Sequence, residues 1–178
     1  QGCLAADPNP GHTALAQIEQ RLQGRGTFTL LTQNVDRLHQ KAGSRNVVEL
    51  HGSIIQWRCT ECGEKTTPGP APFTGFPPPS PCCRNEMLRP DVVWFGEALP
   101  FEALRAADEA VSECDLFFSI GTSSVVYPAA AYIHAAAQRG ATTVEINKDP
   151  TPITGRVDFS LQGKAGHILP LLVGQAFG

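Results

Sequence analysis

Residues 27–36 read TFTLLTQNVD, and the fold turns on the first seven of them. TFTLLTQ is short, apolar and β-branched, with Gly26 before it and polar residues after it, which predicts a buried strand. Gln33, Asn34 and Asp36 then fall at the carboxyl end of that strand. In open parallel sheets, ligands bind along this edge. A second polar group follows closely in ELHGS, 49–53, where His51 stands between the strand-like VVEL and small residues.

Outward from this stretch, helix and strand alternate. Pro10 suits the first turn of a helix capped by Asn9, with Leu15, Ile18 and Leu22 on one face and Gly24 and Gly26 as the stop. Beyond it, LRPDVVWFGE, 88–97, has extended, apolar character. Residues 101–113 place Leu104, Ala107 and Val111 on one helical face. DLFFSIG, 115–121, and TTVEIN, 142–147, read as buried strands, with a helix between them that starts near Pro128 and ends at Gly140. VDFSLQG and a helix-like HILPLLV close the chain. The expectation is an α/β fold with a mainly parallel sheet.

Residues 58–87 break the pattern. RCTECGEKTTPGPAPFTGFPPPSPCCRNEM is rich in Pro, Gly, Thr and Cys, and a loop-rich insertion of this length needs a reason. Cys59-x-x-Cys62 has the spacing of a tetrahedral zinc knuckle. Its partners would be the vicinal Cys82 and Cys83, whose side chains point apart in extended chain, so a shared ion requires a turned backbone. Reduced, partly buried thiols are the alternative. Cys3 and Cys114 read as lone residues.

The 178 residues are 42% hydrophobic and 17% charged, with a net charge of −3. This composition fits one globular domain with a small appended module and argues against disorder. No basic run marks a nucleic-acid surface, and no apolar stretch is long enough to span a bilayer. Residues 1–12 lack the basic start and apolar core of a signal peptide. The cysteine usage points to a reducing, cytoplasmic compartment. The chain opens at Gln1 and its single Met is Met87, which suggests a fragment or a processed chain.

Two further junctions suit a nucleotide. Gly121, Thr122 and Ser123 follow a strand and precede a helix, where glycine and hydroxyls can meet ribose or phosphate; an ordinary helix cap would look the same. Asn147, Lys148 and Asp149 end the next strand, and can either bond ribose or adenine or form a surface turn. His51 is suited to act as a base near neutral pH, or to a structural role.

TQNVDRLHQKAG, ELHGS, CTEC, LRPDVVWFGE and GTSSVVYPAA, in this order and spacing, resemble the sirtuins, the NAD-dependent protein-lysine deacylases. The resemblance covers nearly the whole chain, and SSVVYPAA is most similar to the branch that includes desuccinylases and demalonylases. It implies a Rossmann-like NAD-binding domain, 1–57 and 88–178, with an inserted zinc-ribbon-like module, 58–87. It implies catalytic roles for His51, as general base, and for Asn34 and Asp36. Gln33, Asn34, Val35 and Asp36 would line the nicotinamide and ribose pocket. Gly121, Thr122, Ser123, Asn147, Lys148, Asp149 and Ala165 would hold the adenosine half. Val93, Trp94, Phe95, Gly96 and Glu97, with Ser124, Val125, Val126 and Tyr127, would form the two edges that receive an acyl-lysine peptide as an added strand. Cys59, Cys62, Cys82 and Cys83 would hold structural zinc. NAD would be consumed, giving nicotinamide, free lysine and O-acyl-ADP-ribose. The family's first strand and its G-A-G-x-S loop have no counterpart in these residues, so the chain alone is expected to have impaired or no activity. A non-catalytic module for acyl-peptide or ADP-ribose, and a protein ADP-ribosyltransferase, are the alternatives.

Overall fold

The computed structural model describes residues 5–68 and 75–178. Cys3 and part of the Pro-rich insertion lie outside the described residues. The chain begins with helix α1, Pro10–Leu22, and the Asn9 side chain accepts from the Gly11 and His12 amides, as its sequence predicts. Strand β1 covers Leu30–Thr32, shorter than the 27–33 run. A short helix α2, Leu38–Lys41, leads to β2, Val47–Glu49, which pairs in parallel with β1.

The next strands run antiparallel. β3, Gly52–Cys59, lies between the short β4, Lys65–Thr66, and β5, Leu88–Val92. β3 passes unbroken through Arg58 and Cys59 into the insertion, so part of the stretch read as loop is strand. Its apolar periodicity is weak because charged pairs hold it: Asp91 faces Lys65 at 2.7 Å and Arg58 at 3.8 Å. A bulge between Ser53 and Trp57 bends the ladder.

Helix α3, Phe101–Glu113, buries Ala107 and Val111 as expected. β6, Leu116–Ile120, then runs into a 3₁₀ turn at Ala129–Ala131 and helix α4, Tyr132–Gln138. β7, Thr142–Asn147, and β8, Phe159–Gln162, complete a second parallel sheet in the order β6-β7-β8. Helix α5, Ala165–Phe177, closes the chain. The parallel character is as expected, but it is divided between two sheets.

Helices cover both faces of these strands. On one face, α3 and α4 bring Ala107, Val111, Tyr132 and Ala136 against Leu50, with Leu31, Val48 and Phe117 packed on the cluster. On the other, α1 and α5 bring Ala14 and Leu169 against Val144 and Ile146, joined by Phe118 and Ile120. Successive strand residues serve opposite layers: Phe117 goes to one and Phe118 to the other. Ile146 has no exposed surface, and full burial of such a side chain contributes about 1.5–3 kcal/mol. The start of α1 approaches α5 so closely that a Cβ on Gly11 would lie 3.3 Å from the Ala165 carbonyl.

Candidate active site

The carboxyl ends of the parallel strands carry the polar residues singled out in the sequence, and hydrogen bonds join them across the two sheets. His51 Nδ1 lies 3.0 Å from the Gln33 carbonyl. The Gln33 side-chain amide donates to the Thr122 hydroxyl at 3.3 Å. The Asn147 amide donates to the Thr122 carbonyl at 2.7 Å. The network therefore runs His51–Gln33–Thr122–Asn147, from the end of β2 to the ends of β1, β6 and β7. A carbonyl only accepts, so the Nδ1–H of His51 is the donor, and in the neutral ring Nε2 carries the lone pair. That is the tautomer a general base needs.

The neighbouring residues are fixed locally. The Asn34 amide donates to the Thr32 hydroxyl at 3.1 Å, leaving the Asn34 side chain exposed. Asp36 accepts from the Leu38 amide at 3.0 Å and so begins α2. The Val35 carbonyl accepts from the Ile54 amide. His39, on α2, packs its ring edge-on against His12 at 4.7 Å between centroids. Burial pushes both imidazoles below their ordinary range, while the nearby Asp36 charge pulls the other way.

The nucleotide-type residues share the same edge. Gly121 has φ +62° and donates its amide to the Ile146 carbonyl. Lys148 and Asp149 are exposed just beyond Asn147, and Ser123 is exposed beside Thr122. The Gly163 amide bonds the Asn147 carbonyl at 2.8 Å, which brings Ala165, at the start of α5, toward this corner.

The two expected peptide edges are both anchored to the network. The Val93 amide donates to the His51 carbonyl at 3.0 Å, and the Ser124 amide donates to the Thr122 hydroxyl at 3.3 Å. Each edge presents apolar surface: Phe95 is fully exposed, Trp94 is 56% exposed and Tyr127 71%, with Val125 and Val126 exposed beside it. Exposed aromatic and aliphatic groups of this size mark an interaction surface. Glu97 turns inward. Its carboxylate is clasped by Arg89 and accepts from the Trp94 amide, which closes the 94–97 turn at Gly96. Arg89 holds the Glu97 carboxyl down at about 2 and also stacks over the Trp94 ring at 3.6 Å. Sequence reasoning missed Arg89 and Thr32, because their roles depend on partners that only the fold supplies.

The four cysteines converge. The sulfurs of Cys59, Cys62, Cys82 and Cys83 all lie within 4.8 Å of one another. A tetrahedral zinc with Zn–S bonds of about 2.3 Å places its sulfurs about 3.8 Å apart; Cys62 and Cys82 lie at 3.3 Å and all four within 4.8 Å, so the set fits with small adjustments either way. The vicinal pair serves because its backbone is turned: the Ser80 hydroxyl accepts from the Cys82 and Cys83 amides at 3.4 and 3.5 Å. Ser80, which the sequence did not single out, also draws the Cys59 thiol down to about 6, helped by the Cys62 amide. Cys83 is pushed up to about 12, first by its hydrogen bond to Cys62.

Fold and site together define an α/β protein with a nucleotide-type polar edge beside a four-thiol module. The family model described as "Sir2 family" matches residues 2–128. The chain is 51% identical over 168 residues to NAD-dependent protein deacylase 2 of Pyrobaculum aerophilum, covering 94% of this chain and 66% of that protein. It is 41% identical over 189 residues to the mitochondrial NAD-dependent protein deacylase sirtuin-5 of Xenopus tropicalis, covering 94% of this chain and 61% of that one. Among solved structures, a Sir2 homologue–NAD complex superposes with a TM-score of 0.90 at 44% identity, over 97% of this chain and 66% of that one. A Sir2–p53 peptide–NAD⁺ complex gives 0.87 at 32% identity, over 98% and 72%. The chain belongs to the Sir2 family, the sirtuins. It spans about two thirds of the length of the relatives it matches.

Proposed function

We propose that the protein acts in NAD-dependent removal of acyl groups from protein lysines, with release of nicotinamide and O-acyl-ADP-ribose. The observation that carries this reading is the hydrogen-bonded line His51–Gln33–Thr122–Asn147, which joins a free imidazole nitrogen to the nucleotide-type corner. NAD, when bound, supplies an electrophilic ribose carbon and a nicotinamide leaving group. His51 Nε2 accepts the proton of a ribose hydroxyl, and the Gln33 carbonyl holds the imidazole in the tautomer that can do so. Gln33, Asn34, Val35 and Asp36 line the nicotinamide-ribose end. Gly121, Thr122, Ser123, Asn147, Lys148, Asp149 and Ala165 hold the adenosine half.

Residues 93–97 and 124–127 receive the acyl-lysine peptide as an added strand, with Phe95 beside the acyl chain. Residues 1–57 and 88–178 form the nucleotide-binding domain, and 58–87 the structural zinc module; β3 ties the two into one ladder. No helix of the described residues is long and apolar enough to cross a membrane. A zinc-type set of four thiolates favours a reducing, cytoplasmic setting.

The test mixes NAD and acetyl- or succinyl-lysine peptide with the chain at comparable concentrations and follows nicotinamide. Slow release that requires both the peptide and His51 is expected. Release without peptide, or undiminished in His51→Ala, contradicts the reading. ADP-ribose on a protein side chain instead of the acyl group would mark an ADP-ribosyltransferase.

A further inference from the structure

Two carboxylates are buried among the described residues, and they are compensated in different ways. Asp91, 8% exposed, faces Lys65 and Arg58. Glu145, 2% exposed in the middle of β7, has no cation against it among the described residues. It accepts instead from three hydroxyls: Thr151, Thr154 at 2.6 Å and Ser160 at 3.0 Å. A buried carboxylate without a cation is expensive, and an apolar side chain would fill this place at lower cost. The carboxylate must therefore do something that packing alone would not.

Its donors show what that is. Thr151 and Thr154 belong to the loop that leaves β7 immediately after Asn147, Lys148 and Asp149. They also lock each other: the Thr151 amide donates to the Thr154 hydroxyl at 2.8 Å, and the Thr154 amide donates to the Thr151 carbonyl at 3.1 Å. Ile153, 2% exposed, plugs the same turn into the interior. The near end of the loop is held by Asn147 on Thr122 and by the Gln162 amide on the Lys148 carbonyl. Glu145 holds its far end. Glu145, Asn147, Asp149, Thr154, Ser160 and Gln162, with Pro150, border one cavity of about 20 Å³, so the carboxylate and the nucleotide-type residues meet at the same small space.

We propose that Glu145 is a positioning residue for the adenosine side of the site: its carboxylate gathers three hydroxyls to fix the loop that presents Asn147, Lys148 and Asp149. The proposal rests on the functional reading above. Burial pushes the Glu145 carboxyl up, and the three hydroxyls more than reverse this, so the group is held below the ordinary carboxylate range as the acceptor the loop requires.

The experiment uses the 178-residue chain and two readouts: calorimetric titration with ADP-ribose, and amide hydrogen exchange without ligand. Glu145→Gln is expected to weaken ADP-ribose about tenfold, about 1.4 kcal/mol, and to speed exchange at 148–154 while leaving 33–36 unchanged. Thr154→Val removes one donor and should move both readouts the same way. Thr154→Ser keeps the hydroxyl and should match wild type. This pair decides the matter if Glu145→Gln does not fold. ADP-ribose affinity within twofold of wild type in the folded Glu145→Gln and Thr154→Val chains, or exchange that speeds up evenly throughout, overturns the proposal. Absence of ADP-ribose binding by the wild-type chain overturns the functional reading and this proposal together. Wild-type binding with unaltered variants overturns this proposal alone.

Discussion

Gly52 follows His51 directly, and among the described glycines it is the one where an added Cβ has least room. Its φ is +76°, and a Cβ built there would lie 2.0 Å from the Asp91 carbonyl oxygen. Real contacts of this kind are essentially never below 3.0 Å, so Gly52→Ala must part β3 from β5 by about 1 Å. That disrupts the Gly52–Val92 pairing and the Val93–His51 hydrogen bond. Each lost bond costs about 1 kcal/mol, and alanine in this backbone region adds about 1–2 kcal/mol. For a chain of this size, a loss of about 3–4 kcal/mol lowers Tm by roughly 10 °C. Thermal unfolding followed by circular dichroism measures it. Gly24→Ala is the control. Its φ is +74° but nothing lies within 4 Å of the added Cβ, so only backbone strain remains and the drop is about 4 °C. If both variants melt together, the backbone contact at Gly52 is not what sets the β3–β5 spacing, and the reasoning fails.

Three further outcomes can be checked. The purified chain is expected to carry about one zinc, measured by elemental analysis; Cys83→Ser should lower that content and Ser80→Ala should weaken retention against chelator. Arg89→Gln removes the main clamp on Glu97, leaving Arg58 and the Trp94 amide, and uncovers the Trp94 ring, so Trp94 fluorescence should change and acyl-peptide affinity should fall while ADP-ribose affinity holds. The half-buried His12–His39 pair is depressed below the ordinary imidazole range. Its contribution to stability is therefore complete above the unfolded value of 6.5 and is lost as pH falls from there to the lower folded values. Denaturant titrations should show that loss as pH falls below 6.5, and a chain lacking both imidazoles should not.

What could be read from the sequence was whatever is settled by near neighbours. Pro10 after Asn9 announces the start of α1, and Leu104, Ala107 and Val111 announce α3, because caps and helical faces are set within a few residues. The strand ending at Thr32 was legible for the same reason, and with it the location of Gln33 and Asp36. Position along the edge of a parallel sheet then follows from topology, which brought His51, Thr122 and Asn147 together.

The less legible features depend on partners distant in sequence. Cys82 and Cys83 look unsuited to one ion until the Ser80 hydroxyl turns their backbone. Glu97 reads as one residue of the 93–97 segment, and its clasp by Arg89 appears only in the fold. Glu145 resembles any polar residue in a strand, and only the folded loop brings Thr151, Thr154 and Ser160 onto it. The route of β3 into the insertion was hidden because ion pairs to Asp91, and not apolar alternation, fasten it.

The most direct measurement is a ¹⁵N–¹H correlation titration of the labelled chain, first with ADP-ribose and then with an acetyl-lysine peptide. ADP-ribose is expected to shift amides at 33–36, 51, 121–123 and 147–149, and the peptide to shift 93–97 and 124–127. Shifts confined to other surfaces, or none at saturating ligand, would mean that the edge joining His51 to Asn147 is not the binding site.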